Sequence, residues 1–238
     1  MPERNMGSRL KRRHLVPWLP LLVALCGVWR GVSGLATAGP APLSGEGREV
    51  TVLMHADGTY ESGYWWQYEG NVAPSYGAFA EGYVGIAQVD SIVLDVSTWP
   101  SAYPYPADIY LWGDDGGTPG AVLALLENVF LGAAVWPIVE RNVIGLAEPV
   151  CVGDAWWAGY WGHWPGSFAE FFIGADLNGP GGGSSMTNVA PGQDFPSGWQ
   201  DVDVVWGPTA ALGIGAVVEE CPTPAEGQSW GSIKALYR

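Results

Sequence analysis

Short apolar runs recur along most of the chain, each bounded by Gly, Pro, Asn or Asp clusters. From Glu49 onward the runs are rich in Val, Ile, Tyr and Trp, the composition of strands punctuated by turns. They predict strands over Val50–His55, Tyr64–Tyr68, Gly77–Tyr83, Gln88–Val96, Asp108–Trp112, Val122–Asn128, Ile138–Ile144, Ala155–Trp161, Phe168–Ile173, Val202–Val205 and Leu212–Val218. Between Glu49 and Glu219 no segment sustains a 3.6-residue period, although Ala121–Leu126 would fit one helical turn. Strands at this spacing, without intervening helices, argue for an antiparallel sandwich. The expected fold is therefore all-β, a jelly-roll-like antiparallel β-sandwich over residues 49–219.

Alternation assigns faces within each strand, because successive side chains point to opposite sides. Ile92, Leu94 and Val96 share one face against Ser91, Val93 and Asp95. Ile109 and Leu111 oppose Asp108, Tyr110 and Trp112. The stretch Asp176–Asp201, polar and containing Gly-Pro-Gly-Gly-Gly, reads as one or two loops.

The two ends differ from this body. Arg4, Arg9, Lys11, Arg12 and Arg13 precede an apolar run, Leu15 to Trp29, and then Ala36-Thr37-Ala38. A basic start, an apolar middle and an A-x-A site are the parts of a secretory signal peptide, expected over residues 1–38. As a membrane anchor the run is too short for the roughly 20 apolar residues a span needs, and Pro17 and Pro20 interrupt it. Residues 39–48 read as a linker. At the far end, residues 220–228 form a Pro-rich tether, and Ser229 would cap a short helix over Trp230–Arg238. Trp230, Ile233, Leu236 and Tyr237 make a stripe on it, with Lys234 and Arg238 near the end where the macrodipole favours cations.

Removing the leader sharpens the charge. The remaining chain has four basic and 23 acidic side chains, a formal balance of −19. Nucleic acid and anionic membrane surfaces, whose binding depends on Lys and Arg, are excluded as partners. Two cysteines remain, Cys151 and Cys221. In an oxidising compartment they could pair; alternatively Cys151, set in an apolar run, is a small core residue.

Three chemistries fit the remaining residues. Sugar rings stack their C–H faces on flat aromatics, and two one-faced rows offer such platforms: Trp156, Tyr160 and Trp164, and Tyr64, Trp66 and Tyr68. Trp157 and Trp161 fall on the opposite face of the first row. The alternative for either row is burial, since one face of each strand must be covered. Calcium, a hard cation, would suit the oxygen-rich turns at Asp114-Asp115 and Asp176-Leu177-Asn178, although Asp and Asn also populate ordinary turns. For hydrolysis, His55 and His163 lie in no metal-binding pattern and no G-x-S-x-G elbow is present. Paired carboxylates for glycoside cleavage would have to come from Glu61, Glu69, Glu81, Glu140 or Glu170. A secreted or cell-surface binding or structural module, with carbohydrate as the ligand, is the expected function. A secreted glycan-active enzyme is the alternative.

Two segments carry resemblances. D-I-Y-L-W-G-D-D-G-G-T-P-G-A-V-L (Asp108–Leu123) resembles the strand–turn–strand signature of secreted bacterial β-sandwich domains. P-T-P-A-E-G-Q-S-W-G-S-I-K-A-L-Y-R (Pro222–Arg238) resembles C-terminal tails shared by otherwise different exported proteins of environmental bacteria. The second resemblance implies a sorting or attachment tag, with Trp230, Ile233, Lys234, Tyr237 and Arg238 as its recognised residues and export or surface-attachment machinery as the partner. Neither brings a catalytic residue.

Overall fold

The alternating runs close into two antiparallel sheets packed face to face. The computed structural model describes residues 49–65, 75–99, 102, 104–164, 171–189, 191 and 195–222, with the backbone alone at 75, 76, 163 and 164. The strands are β1 (Thr51–Met54), β2 (Ser62–Tyr64), β3 (Ser75–Val84), β4 (Ala87–Thr98), β5 (Tyr105–Asp114), β6 (Pro119–Leu131), β7 (Ala134–Val135), β8 (Glu140–Val152), β9 (Ala155–Trp164), β10 (Phe171–Asp176), β11 (Ser184–Val189), β12 (Gly198–Asp201), β13 (Ala211–Leu212) and β14 (Ile214–Glu219). A single helical turn, α1 (Val202–Val205), follows β12.

The larger sheet runs β1-β14-β4-β10-β13, with β2 on β10 and with β7 and β8 on β4. The second sheet runs β12-β11-β3-β9-β5-β6. Among the described residues only the β4–β7 pairing is parallel. Between the sheets Phe79, Tyr83, Ile109, Leu111, Trp156 and Tyr160 meet Ile92, Leu94, Val96, Ile173 and Ile214 in one core. Each fully buried side chain of this kind contributes about 1.5–3 kcal/mol of burial free energy. The all-β sandwich expected from the alternation is the architecture of the protein.

Several elements depart from the sequence pattern for identifiable reasons. From Ile92 to Thr98 β4 is buried on both faces, and on its outer side Tyr60 and Arg141 close over Asp95. The Tyr60 hydroxyl donates to Asp95 Oδ2 at 2.5 Å. Arg141 Nε and Nη2 donate to the two Asp95 oxygens at 2.8 and 2.6 Å. Ala121–Leu126 is no helical turn but part of β6. β8 extends well past Ile144, and its ladder on β4 skips from Gly145 to Val150, so a bulge carries Pro149 on a strand paired along only one side.

Asp176–Asp201 is not all loop, since β11 and β12 form there with little apolar content to announce them. Val202–Val205, expected as a strand, is α1. Asp201 caps it by accepting from the Asp203 N–H at 2.8 Å, and the Trp206 N–H closes the turn on the Val202 carbonyl.

Cys151 is exposed rather than a core residue, and it is bonded to Cys221 with the two Cα atoms 5.7 Å apart. Cys151 and Glu219 both pair with Gln88, on opposite sides of β4, so the disulfide straps the start of that strand. The leader, the linker and the helix expected over Trp230–Arg238 lie outside the described residues.

Candidate functional site

β9 occupies the middle of the second sheet, and its two faces are both aromatic. Trp156 and Tyr160 point to the inter-sheet side and are 1% exposed. The Trp156 ring stacks on Tyr83 at 4.7 Å, and its Nε1–H donates to the Gly85 carbonyl at 3.1 Å. Tyr160 meets Phe171 edge-on at 5.5 Å, and burial drives its hydroxyl far from ionisation. Tyr64 is buried as well, stacked on Trp206 at 5.1 Å and hydrogen-bonded to the Thr209 hydroxyl at 2.8 Å. These three residues therefore build the core and offer no face to a sugar. The side chain of Trp164, and Trp66 and Tyr68 entirely, lie outside the described residues.

The opposite face of the same strands carries the rings that reach solvent. Trp157 and Trp161 of β9, Tyr110 and Trp112 of β5 and Trp199 of β12 gather on the outer side of the second sheet. Trp112 and Trp157 pack with Ala80 into a small satellite core, flanked by Tyr110, Met186 and Trp199. Tyr110 lies parallel to Trp112 at 4.7 Å. Trp199 meets Trp112 at 5.5 Å and Trp161 at 6.1 Å, both nearly perpendicular. Three strands separate β12 from β5, so these indoles lean toward each other over Ala78 and Ala80, a floor low enough to admit them. Glycine serves the same end at Gly82, where a Cβ would come within 2.9 Å of the Trp157 ring. Tyr110, Trp161 and Trp199 stay partly exposed.

The face ends at one rim of the sandwich in a cavity of ≈ 230 Å³, lined by His55, Asp114, Trp157, Gly183 and Ser184 among others. Trp157 belongs to both the face and the cavity. Its Nε1–H donates to Asp114 Oδ1 at 2.8 Å, and the Gly117 N–H donates to both Asp114 oxygens at 3.1 Å. The Trp157 bond, then the backbone bond, hold the Asp114 carboxyl below its ordinary range. His55 stacks on Tyr83 at 4.7 Å and donates through Nε2 to the Gly82 carbonyl at 3.2 Å. Its pKa is lowered by burial, against the pull of that bond.

No protein-family model matches the chain, and no curated protein matches it.

Behind the cavity wall sits Glu81, fully buried. The Ser185 hydroxyl and the Leu212 N–H donate to its Oε2 at 2.6 and 3.2 Å, while Oε1 has no hydrogen-bond partner among the described residues. Burial pushes this carboxyl up to about 7 against those two bonds. A Cβ on Gly183 would collide with Oε1 and with the His55 ring, so only a glycine lets the wall close over the carboxyl.

The remaining carboxylates considered from the sequence are dispersed. Glu61 accepts from the Leu177 N–H and from Asn178 Nδ2, each at 2.9 Å, and Glu140 is exposed on β8. Glu69 and Glu170 lie outside the described residues. The two calcium candidates are closed turns. Asp115 receives the Thr118 hydroxyl on its carbonyl. Asp176 accepts from the Asp57, Asn178 and Gly179 N–H groups at 2.9, 3.0 and 2.6 Å. Among the described residues no three His, Cys, Asp or Glu side chains gather as metal ligands. Tyr110, Trp112 and Trp199 were not singled out as ligand contacts by the sequence pattern. For the first two the signal was their place opposite Ile109 and Leu111; Trp199 sits in a stretch that reads as loop.

Proposed function

We propose that the chain is an exported carbohydrate-binding module, working outside the cell or on its surface, whose ligand stacks on the outer aromatic face of the second sheet. The observation that carries this reading is the set of partly exposed rings, Tyr110, Trp161 and Trp199, held rigidly by the buried Trp112 and Trp157 and running into a polar-rimmed cavity. Flat apolar surface with a few fixed polar groups at one end is the chemistry of a small-ligand site. The rings stand on strands rather than loops, so they are presented without an ordering cost. A glycan-cleaving reading has one observation in its favour, the Glu81 carboxyl held near 7, where a general acid would be useful. That carboxyl is enclosed behind Gly183 and bonded to Ser185 and the Leu212 N–H, with no hydrogen bond to the aromatic face among the described residues, so binding is the reading carried here. Among the described residues no helix is long and apolar enough to cross a membrane.

A glycan array probed with the processed chain (Gly39–Arg238) tests the reading. Binding should weaken about tenfold when Trp161 or Trp199 becomes Ala, the scale of roughly 1.4 kcal/mol for a lost ring contact. Array binding that survives both substitutions unchanged, or product release on contact, would overturn it.

A further inference from the structure

The hairpin that joins β5 to β6 carries the Asp-Asp-Gly-Gly-Thr-Pro-Gly signature, and its first acid reaches back to the aromatic face. Side chains alternate along a strand, so Asp114 shares the outer face of β5 with Tyr110 and Trp112. Trp157 stands opposite Trp112 on β9, which makes Asp114 its diagonal neighbour, within reach of an indole. Asp114 Oδ1 accepts the Trp157 Nε1–H at 2.8 Å, across 43 residues of sequence. Both Asp114 oxygens also accept from the Gly117 N–H at 3.1 Å, in a turn where Gly116 and Gly117 take positive φ. The turn has a closure of its own, the Asp115 N–H on the Thr118 carbonyl at 2.9 Å. As a turn residue Asp114 needs only the Gly117 bond; the bond to Trp157 serves the face.

Trp157 is pinned at two ends. The six-membered part of its ring lies over Gly82 on β3, where a Cβ would come within 2.9 Å, and its N–H end sits on Asp114. The indole is buried, so without that acceptor either its donor is left unpaired or the ring must turn. A turn of this ring is not local. Trp157 packs with Trp112, which Tyr110 stacks on and Trp199 meets nearly at right angles. The Trp157 bond is also the first cause holding the Asp114 carboxyl below its ordinary range, so it stays an ionised, strong acceptor at neutral pH.

We propose that Asp114 is a positioning residue for ligand binding: by holding the Trp157 indole it fixes Trp112, and through Trp112 the solvent-reaching rings Tyr110 and Trp199. This rests on the carbohydrate-binding reading above and deepens it, because it makes the hairpin signature part of the binding device without placing Asp114 against the ligand.

The full chain, labelled with nitrogen-15 and probed on the glycan array, tests the assignment. Asp114→Ala should shift the Trp157 indole N–H resonance together with those of Trp112 and Trp199. Its array binding should weaken about fivefold, the scale of immobilising one side chain on binding. Asp114→Asn, whose amide keeps an oxygen for the indole, should bind to within about twofold of the wild type. Thr118→Val removes the bond from the Thr118 hydroxyl to the Asp115 carbonyl while leaving Asp114 on Trp157, and should bind like the wild type. Trp157→Phe, which has no N–H to offer, should lose as much as Asp114→Ala, and the two changes together should lose no more than either alone. Wild-type binding in Asp114→Ala, or unmoved Trp112 and Trp199 resonances, refutes the positioning role. So does an equal loss in Asp114→Asn, which assigns the effect to charge, or in Thr118→Val, which assigns it to the turn. If Asp114→Ala does not fold, Trp157→Phe decides alone, and wild-type binding there is the refuting result. All of these leave the stacking reading standing; a wild-type chain that binds no glycan on the array ends both.

Discussion

Burial holds the Glu81 carboxyl up to about 7, against an ordinary 4.5, so the folded chain keeps a proton there that the unfolded chain has released. Stability from this group is full below about pH 4.5 and is lost as the pH climbs through 7, by about 3 kcal/mol. Glu81→Gln, neutral at every pH, should therefore melt like the wild type near pH 4.5 and above it at pH 8.5. A wild-type melting point flat across that range would contradict the burial of an uncompensated carboxyl. The same scale explains what could be read of the site beforehand. Alternation separates Trp156 and Tyr160 from Trp157 and Trp161 without structural help. Which face meets the other sheet depends on partners remote in sequence, and because both faces are aromatic, hydrophobicity does not choose between them. Core and site exchange roles for that reason.

Elements with strong local patterns were legible, and those shaped by neighbours were not. β3, β4, β5 and β9 each announce themselves through β-branched and aromatic residues, and their centres fall where the pattern places them. β11 has only Met186 and Val189 as large apolar residues, so its pairing with β3 and β12 has no local signature. α1 shows the reverse: its valines favour a strand, but one capping carboxylate at Asp201 turns the chain. The disulfide belongs to this scale because it ties β8 to the end of β14 across β4. With 70 residues between its cysteines, its loss should cost about 4 kcal/mol on chain entropy alone. Cys151→Ser, or reduction of the exposed bond, should lower the melting temperature by on the order of 10 °C. No change on reduction would mean that the two sulfurs are not joined in the protein.

At the scale of the whole molecule the charge is lopsided, with four cations from Gly39 onward set against 23 acids and two of those cations in the last five residues. The tail, Ser229–Arg238, is proposed as an address read by export or surface-attachment machinery. Its removal should leave the melting temperature unchanged and move the protein to another compartment or into the medium. If instead the melting temperature falls by several degrees with location unchanged, these residues pack on the sandwich and carry no address. The strap across β4 then acquires a mechanical meaning. Were the chain held by its tail while the aromatic face grips a ligand, tension would arrive at Cys221, two residues beyond β14. Without the strap that pull would peel β14 from β4 one hydrogen-bonded pair at a time. With it the load crosses through sulfur into β8, and the covalent ring from Cys151 to Cys221, which contains Trp157, Trp161 and Trp199, cannot be drawn out into an extended chain.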